Sequence, residues 1–565
     1  MATELDTALT NIMAALTAPG AMFETEPVQR FGRDLPAFKN APPSMAHYFA
    51  HYCAEHGDKT FIVDGDIRLT FAETYAAARK VAGGLVAGYG VKRGDRIGIA
   101  ARNSANWIIT HMAIMMAGGC STLLNGWWTG EELTGGIKLA GCSIVLADAD
   151  RAARLDGCDH GAEIVVFSHD GPPETGLAVL LSKGGDQTTA LPDLGPDDLA
   201  TILYTSGSTG QSKGAWSDHR GVVQGVFNYV AQTVMSLHYL TAKGEAPTRQ
   251  PCALVAVPLF HVTGEIPLLL QSFAIGRKLV IIPKWDAVEA MRMMEAEEVT
   301  YFVGVPLMSY EIATHPDRAK YDMSACMSFA AGGAPRPVEH VTRIKEAFPG
   351  GFPLLGYGLT ETNAAGCGNF NENYLAKPES TGKPSQPLVD MAILSDDGKP
   401  VPQGKVGEVA IRTIANFGGY WENPEATAEA ILPDGYFLTG DLGYLDEDGY
   451  LFIVDRKKDI IIRGGENITC IEVEQGIYGH QDIVECSVFG LPDERLGEVP
   501  GAVWYAKPGS GLTEDALRAY LAEHLAKFKI PEIMWEAKEP LPRLGTQKID
   551  KRTVRDQFTA GSANA

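Results

Sequence analysis

The sequence predicts an α/β protein: a large N-terminal domain of α/β subdomains with a small β-rich subdomain, followed by an α+β C-terminal domain. Three observations predict it. From about Met45 short apolar strands alternate with helical segments, the pattern of α/β layers with parallel sheets. Near residue 385 the texture changes to short strands separated by Asp-Gly turns. A charged segment, Asp455-Arg456-Lys457-Lys458-Asp459, then precedes a mixed α+β stretch. A chain of 565 residues exceeds what one core usually supports, roughly 250–300 residues, so more than one domain is expected.

In chain order, residues 1–44 are rich in Pro and Ala with weak periodicity and read as an extended N-terminal arm. Thr70 to Tyr89 has helical spacing and opens with Thr70-x-x-Glu73, a capping-box pattern. Arg96–Ala101, Ile144–Ala147, Ile164–Phe167 and Leu279–Ile282 read as buried strands. Cys252 to Pro283 is the most apolar stretch, but Glu265, Arg277 and Lys278 interrupt it, so it reads as buried strand and helix and not as a membrane span. Met391–Leu394, Gly407–Arg412, Tyr436–Leu438 and Tyr450–Val454 are the strands of the β-rich subdomain, about 385–455, and a helix is expected around Glu514–Lys527. The large domain is thus placed at 45–455 and the C-terminal domain at 456–565.

Composition excludes some function classes. Lys plus Arg is 48 and Asp plus Glu is 70, a net charge of −22, which disfavours nucleic acid or an anionic membrane surface as a bulk partner. The start of the chain lacks a secretory signal, and the nine scattered cysteines form no CxxC pair and suggest no zinc site. They read as reduced thiols of a cytoplasmic protein.

The sharpest local motif is Tyr204-Thr205-Ser206-Gly207-Ser208-Thr209-Gly210-Gln211-Ser212-Lys213-Gly214, which follows the apolar strand Leu199–Leu203. Small residues let the backbone wrap an anion, hydroxyls and N–H groups donate, and Lys213 supplies charge. A Walker A loop is excluded. Gly207 stands six residues before the lysine, but Ser212 and Gly214 occupy places that would need Gly and Ser or Thr. This loop resembles the phosphate-binding signature of the adenylate-forming superfamily, which includes acyl-CoA synthetases, 4-coumarate:CoA ligases, beetle luciferases and the adenylation domains of peptide synthetases. The family usually has Pro at the place of Ser212.

Seven further segments resemble the family's motifs, in the family's order. Pro258-Leu259-Phe260-His261-Val262-Thr263-Gly264 is similar to the aromatic–His segment at the acyl pocket. Alone, His261 would read as a packed core histidine. Ala331-Gly332-Gly333-Ala334-Pro335 resembles the segment along the adenine and the pocket floor. Gly356-Tyr357-Gly358-Leu359-Thr360-Glu361 resembles the one with the adenine-stacking tyrosine (Tyr357), the phosphate-contacting threonine (Thr360) and the magnesium-linked glutamate (Glu361). Thr439-Gly440-Asp441 is similar to the ribose site, and Asp455–Lys458 to the hinge, with Arg456 near the ribose and Lys458 at the pivot. Read without the resemblance, that charge run would be a solvated face. Arg463-Gly464-Gly465-Glu466-Asn467-Ile468 resembles the glycine loop of the pantetheine tunnel. Leu541–Ile549 resembles the catalytic-lysine loop, with Lys548 as the lysine and Gln547 where the family usually has Gly.

The resemblance covers about 45–552 and implies an ATP-dependent, AMP-forming ligase whose C-terminal domain is mobile. The implied catalytic residues are Lys548, Thr360, Glu361 and His261. The implied nucleotide site is Thr205, Ser206, Gly207, Ser208, Thr209, Gly210, Lys213, Gly333, Ala334, Pro335, Tyr357, Asp441 and Arg456. The acyl pocket would be lined by His261, Val262, Thr263, Gly333, Gly358, Leu359 and Ala365, and the coenzyme A tunnel by Gly464 and Gly465. Magnesium at Glu361, ATP and coenzyme A are the implied cofactor and co-substrates. Phe528-Lys529-Ile530-Pro531 resembles the aromatic-Lys-x-Pro segment common in coenzyme A ligases, which favours coenzyme A over a carrier protein as acceptor. None of the expected pocket positions offers a buried carboxylate for an ammonium, and Thr263 is small. An apolar acid of medium or larger size, fatty or aryl, is therefore expected. Trp127, Trp128 and Trp216 either shape its entry or belong to the core. The arm could cover the pocket, meet a second copy in a homodimer, or do neither. A non-catalytic nucleotide-binding protein, with Ser212 and Gln547 in its favour, and a ligase that loads a carrier protein are the alternatives.

Overall fold

The computed structural model describes residues 3–205, 212–334, 336–544 and 548–562. Ser206, Gly207, Ser208, Thr209, Gly210, Gln211, Pro335 and Gln547 therefore lie outside the described residues. Two large sheets stack in the N-terminal part. One has seven strands in the order Gly419–Tyr420, Lys213–Asp218, Leu199–Thr205, Cys120–Leu123, Arg96–Ala100, Ile144–Ala147, Glu163–Val166. The other has nine: Lys383–Pro384, Gly366–Asn369, Phe352–Gly358, Ser328–Ala331, Tyr301–Gly304, Cys252–Val255, Lys278–Ile281, Thr60–Asp64, Ile67–Thr70. The first is antiparallel at the Gly419–Tyr420 edge and parallel elsewhere, and the second is parallel in the middle and antiparallel at both edges. Parallel strands need helical crossovers that cover both faces, which explains why these strands read as continuous apolar runs.

The layer between the sheets is the main core. Helices Phe71–Tyr89, Ala105–Met116 and His219–Ala242 fill it with Val81, Leu85, Ile108, Met112, Val222 and Val226, all buried. Thr70 caps the first of these as its sequence predicts: Thr70 Oγ1 accepts from Glu73 N, and Glu73 Oε2 accepts from Thr70 N at 2.8 Å. The apolar stretch from Cys252 becomes two strands around a helical segment, Val262–Ala274, with a π-helical turn at Glu265–Leu270. Among the described residues no helix is long and apolar enough to cross a membrane.

The later strands form two smaller sheets. Asp390–Leu394, Gly407–Arg412, Phe437–Leu445 and Leu451–Arg456 make a four-stranded antiparallel sheet. The next strand, Ile461–Arg463, already belongs to a five-stranded sheet with Glu466–Ile468, Ile483–Asp493, Gly497–Ala506 and Ile533–Glu536. That sheet has its own core of Val473, Ile477, Val488, Trp504, Leu517 and Leu521.

Residues 1–44 differ from the extended arm expected. They form a helix, Glu4–Leu16, and a hairpin, Thr25–Arg30 with Arg33–Phe38. Phe23 and Phe38 are buried, with ring centroids 5.5 Å apart, beside Phe227 of the long helix. Asp6, only 7% exposed, ties the helix to the rest of the chain. It accepts from Tyr450 Oη at 2.8 Å, Asn373 Nδ2 at 2.9 Å and Lys383 Nζ at 3.2 Å. Asp6→Ala would leave three donors without their acceptor, so it is expected to lower stability by about 1–3 kcal/mol. The shift in the midpoint of chemical denaturation measures it.

Candidate active site

The described ends of the phosphate-loop segment lie on two adjacent antiparallel strands, with Lys213 paired opposite Thr205. Lys213 Nζ lies 4.6 Å above the Tyr420 ring, and the Tyr420 hydroxyl donates to Glu361 Oε1 at 2.8 Å. Glu361 is 8% exposed and sits on the short turn Thr360–Thr362 that follows strand Phe352–Gly358. Burial pushes its carboxyl up, while the Tyr420 hydrogen bond and the charges of Arg456 and Lys213 pull it down. Tyr420 was not among the sequence candidates. The only signal was its place in the aromatic segment Asn416-Phe417-Gly418-Gly419-Tyr420-Trp421.

Tyr357 is the last residue but one of the same strand. Its hydroxyl donates to Asp441 Oδ2 at 2.7 Å, and Arg456 Nε lies 3.0 Å from Asp441 Oδ1. Asp441 and Arg456 are cross-strand partners in the four-stranded sheet, so one register delivers both. Gly358 follows, and its place is set by sterics. A Cβ there would come within 2.1 Å of the Ala364 carbonyl oxygen.

Lys548 comes from the other end of the chain, yet it reaches this site. A Cβ built on Gly333 would stand 3.0 Å from Lys548 Cε and 4.0 Å from Thr263 Oγ1, so Gly333, Thr263 and Lys548 share one space. The loop that carries Lys548 is braced on its own sheet. Leu544 N donates to Lys548 O at 2.8 Å, Leu541 N to Glu485 Oε2 at 2.7 Å, and Arg543 Nη2 to Glu485 Oε1 at 2.5 Å. Burial first, and Arg456 second, pull the Lys548 ammonium down to about 8. Burial, and then the Lys548 charge, hold His261 down at about 3, so His261 is neutral at physiological pH. Its Nδ1 accepts from Thr263 N at 3.3 Å, which leaves the proton on Nε2.

Other expected residues lie further out. Val262 is buried in the core beside the pocket, and Leu359 flanks Tyr357. Ala365 packs with Val389, Ile411 and Ala415, whereas its neighbour Ala364 packs with Val262 in the main core. Ala334 is half-buried beyond Gly333. Lys458 is exposed in the turn between the last strand of the four-stranded sheet and the first of the five-stranded one. Gly464 and Gly465 form an exposed turn with φ of 58° and 93°, where a side chain is strained. Trp128 and Trp216 pack around Tyr204 on the seven-stranded sheet, and exposed Trp127 lies 6.0 Å from the Arg151 guanidinium. These tryptophans belong to the phosphate-loop side of the molecule and not to Thr263. A buried carboxyl does stand next to the pocket segment, at Glu265, but it faces His111 Nε2 at 3.6 Å. Burial pushes Glu265 up to about 8 and His111 down to about 3, which describes a neutral pair.

The comparisons with known proteins decide the family. The sequence model of the AMP-binding enzyme family matches residues 49–421, and that of its C-terminal domain matches residues 472–548. The chain belongs to the AMP-binding enzyme family. Feruloyl-CoA synthase of Amycolatopsis sp is 34% identical over 503 residues, 88% of this chain and 96% of the relative. The 2-succinylbenzoate–CoA ligase of Geobacillus kaustophilus is 34% identical over 88% of this chain and 95% of its own. The long-chain-fatty-acid–CoA ligase of Bacillus subtilis is 31% identical over 90% and 93%. ATP-bound MatB from Rhodopseudomonas palustris superimposes with a TM-score of 0.80 at 29% identity, over 91% of this chain and 99% of MatB. Like these relatives, the chain is an ATP-dependent, AMP-forming acid–thiol ligase.

Protonated Lys548 is the form that can meet a phosphate. With its ammonium held near 8 in the free enzyme, kcat/KM for ATP is expected to fall as pH rises through about 8. A pH–rate profile under subsaturating ATP tests this.

Proposed function

We propose that the chain activates an apolar acid, fatty or aryl, as acyl-AMP and passes the acyl group to coenzyme A. One observation carries the reading: Lys548 reaches from the C-terminal sheet to Gly333 and Thr263, beside the Tyr357–Asp441–Arg456 cluster. A carboxylate is a poor electrophile. In the first half-reaction its oxygen attacks the α-phosphorus of ATP, a P–O bond forms, and the bond to pyrophosphate breaks. Lys548 and Thr360 would stabilise the charge that builds on the phosphates, and Lys213 would hold the outgoing pyrophosphate with the loop 205–210. Asp441 would accept from the ribose hydroxyls, and Tyr357, anchored through its hydroxyl, would stack on the adenine. Neutral His261 would bound the acid's path without competing for it as a cation.

Glu361 suits a magnesium ion. It is a buried hard-oxygen donor beside the phosphate loop, and among the described residues no group of three His, Cys, Asp or Glu could hold a metal alone. That fits a cation whose other ligands are phosphate oxygens and water. Bound there, it would neutralise phosphate charge.

In the second half-reaction the thiol attacks the acyl carbonyl and AMP leaves. Lys458 would act as the pivot that withdraws Lys548 and brings Gly464 and Gly465 to the site. Lys529, held by Glu472 Oε1 at 2.6 Å, belongs to the segment that favours coenzyme A as the thiol. Nine free cysteines, eight of them buried, fit a cytoplasmic location. Mass analysis of products from ATP, acid and coenzyme A tests the reading. Equal AMP and acyl-CoA are expected, and ADP or free acyl phosphate would refute it.

A further inference from the structure

The layer that holds the acyl pocket contains a buried charge the mechanism does not use. Arg277 is 4% exposed, and no carboxylate is paired with it among the described residues. Its two hydrogen bonds are long, Nη1 to Pro267 O at 3.4 Å and Nη2 to Gln271 Oε1 at 3.3 Å, and its Nε has no partner. Burial pulls its guanidinium down. A buried cation without an anion is costly, and such sites are ordinarily paired. Arg336 is equally buried, but it donates to the Leu354 and Phe329 carbonyls at 3.2 and 3.1 Å.

Strand register places Arg277 at the far end of the pocket. Tyr301, whose ring lies 4.6 Å from the Arg277 guanidinium carbon, pairs with Ser328, four residues before Gly332. At about 3.3 Å per residue, Tyr301 lies roughly 13 Å below the Gly332–Thr263 level. Between the two levels Val303 and Ala330 give the sheet face an apolar floor, open beside it at Gly356. Tyr301, Leu354, Gly356 and, just beyond its strand, Gly332 stay half-exposed, and a Cβ built on Gly356 meets nothing within 4 Å. Tyr229 bounds this space from the helix side, its hydroxyl donating to Ala364 O at 2.8 Å. Gln271, beside Arg277, donates to Thr233 Oγ1 at 2.7 Å. The far end is thus polar and cationic, while the walls between are apolar.

We propose that the acyl pocket ends at Arg277, and that the acid activated here carries a second carboxylate at its far end. The inference rests on the ligase reading and narrows the acid to an apolar chain with a distal anion. Arg277 would pair with that carboxylate, and Tyr301 would cover the pair.

Acid-dependent ATP–pyrophosphate exchange tests it. The probes are adipic, suberic, sebacic and dodecanedioic acids, each beside the monocarboxylic acid of equal length. The wild type is expected to favour one of the longer dicarboxylates by at least about tenfold in kcat/KM. In Arg277→Met, the ratio of dicarboxylate to monocarboxylate kcat/KM is expected to fall about 10²-fold. A wild-type preference for the monocarboxylates at every length would overturn the inference and leave the ligase reading intact. So would a ratio unchanged in an Arg277→Met protein that keeps its thermal midpoint. If that variant fails to fold, the wild-type ratio decides alone. Exchange with no acid of either series would overturn the inference, and exchange with an aryl acid such as ferulic acid would then show that the ligase reading stands.

Discussion

Replacing Lys548 with alanine removes acyl-AMP formation and spares acyl transfer. Pyrophosphate release is expected to fall about 10²–10³-fold, the usual cost of one donor aimed at transition-state charge. The loss should appear in kcat more than in KM for ATP. Nucleotide binding would rest on Lys213, Tyr357 and Asp441, which the substitution leaves in place. Supplied with preformed acyl-AMP, the variant is expected to make acyl-CoA within a few-fold of the wild-type rate, because in the proposed mechanism Lys548 would have left the site by then. Equal losses in both half-reactions would mean that Lys548 supports the fold of the site and not the chemistry of one step.

The complementary substitution is Lys458→Pro. The side chain is exposed in the turn after Arg456, so its loss removes no core contact. Proline fixes φ and stiffens this connection. If the domain turns about this point, the variant keeps pyrophosphate release near wild type and loses transfer to coenzyme A, by about 10²-fold or more, since every productive cycle needs the rotation. Half-reaction kinetics with preformed acyl-AMP measure the loss. Transfer at the wild-type rate would move the pivot elsewhere in 456–461.

The motifs were legible because each part of the nucleotide site is a short continuous segment. The run from Gly356 to Glu361 places the Tyr357 ring and the Glu361 carboxylate within one strand end and its turn. What escaped reading is what distant strands assemble. Tyr420 meets Glu361 across 59 positions, and Glu485 meets Arg543 across 58. No local spacing announces such pairs. The N-terminal hairpin was hidden for another reason. Its turn is Phe31-Gly32, with φ of 52° and 70°, where the expected signal would be Asn-Gly or Asp-Gly. Phe31 tolerates this conformation beside Arg30, which is itself fixed by Asp218 at 2.6 Å and by the Asn416 carbonyl. The helix before it buries Asp6 among its few buried positions, which blurs the apolar periodicity. Arg277 was visible only as an interruption of an apolar stretch. Its environment needs the register of Tyr301 against Ser328 to be known.

The most direct test of the account is pyrophosphate release measured with ATP and magnesium across a panel of short, medium, long-chain and aryl acids, each with and without coenzyme A. The account predicts acid-dependent release of about one equivalent per enzyme without coenzyme A, as acyl-AMP accumulates, and continuous turnover once coenzyme A is added. Release that is independent of acid, or continuous turnover that ignores coenzyme A, would contradict it.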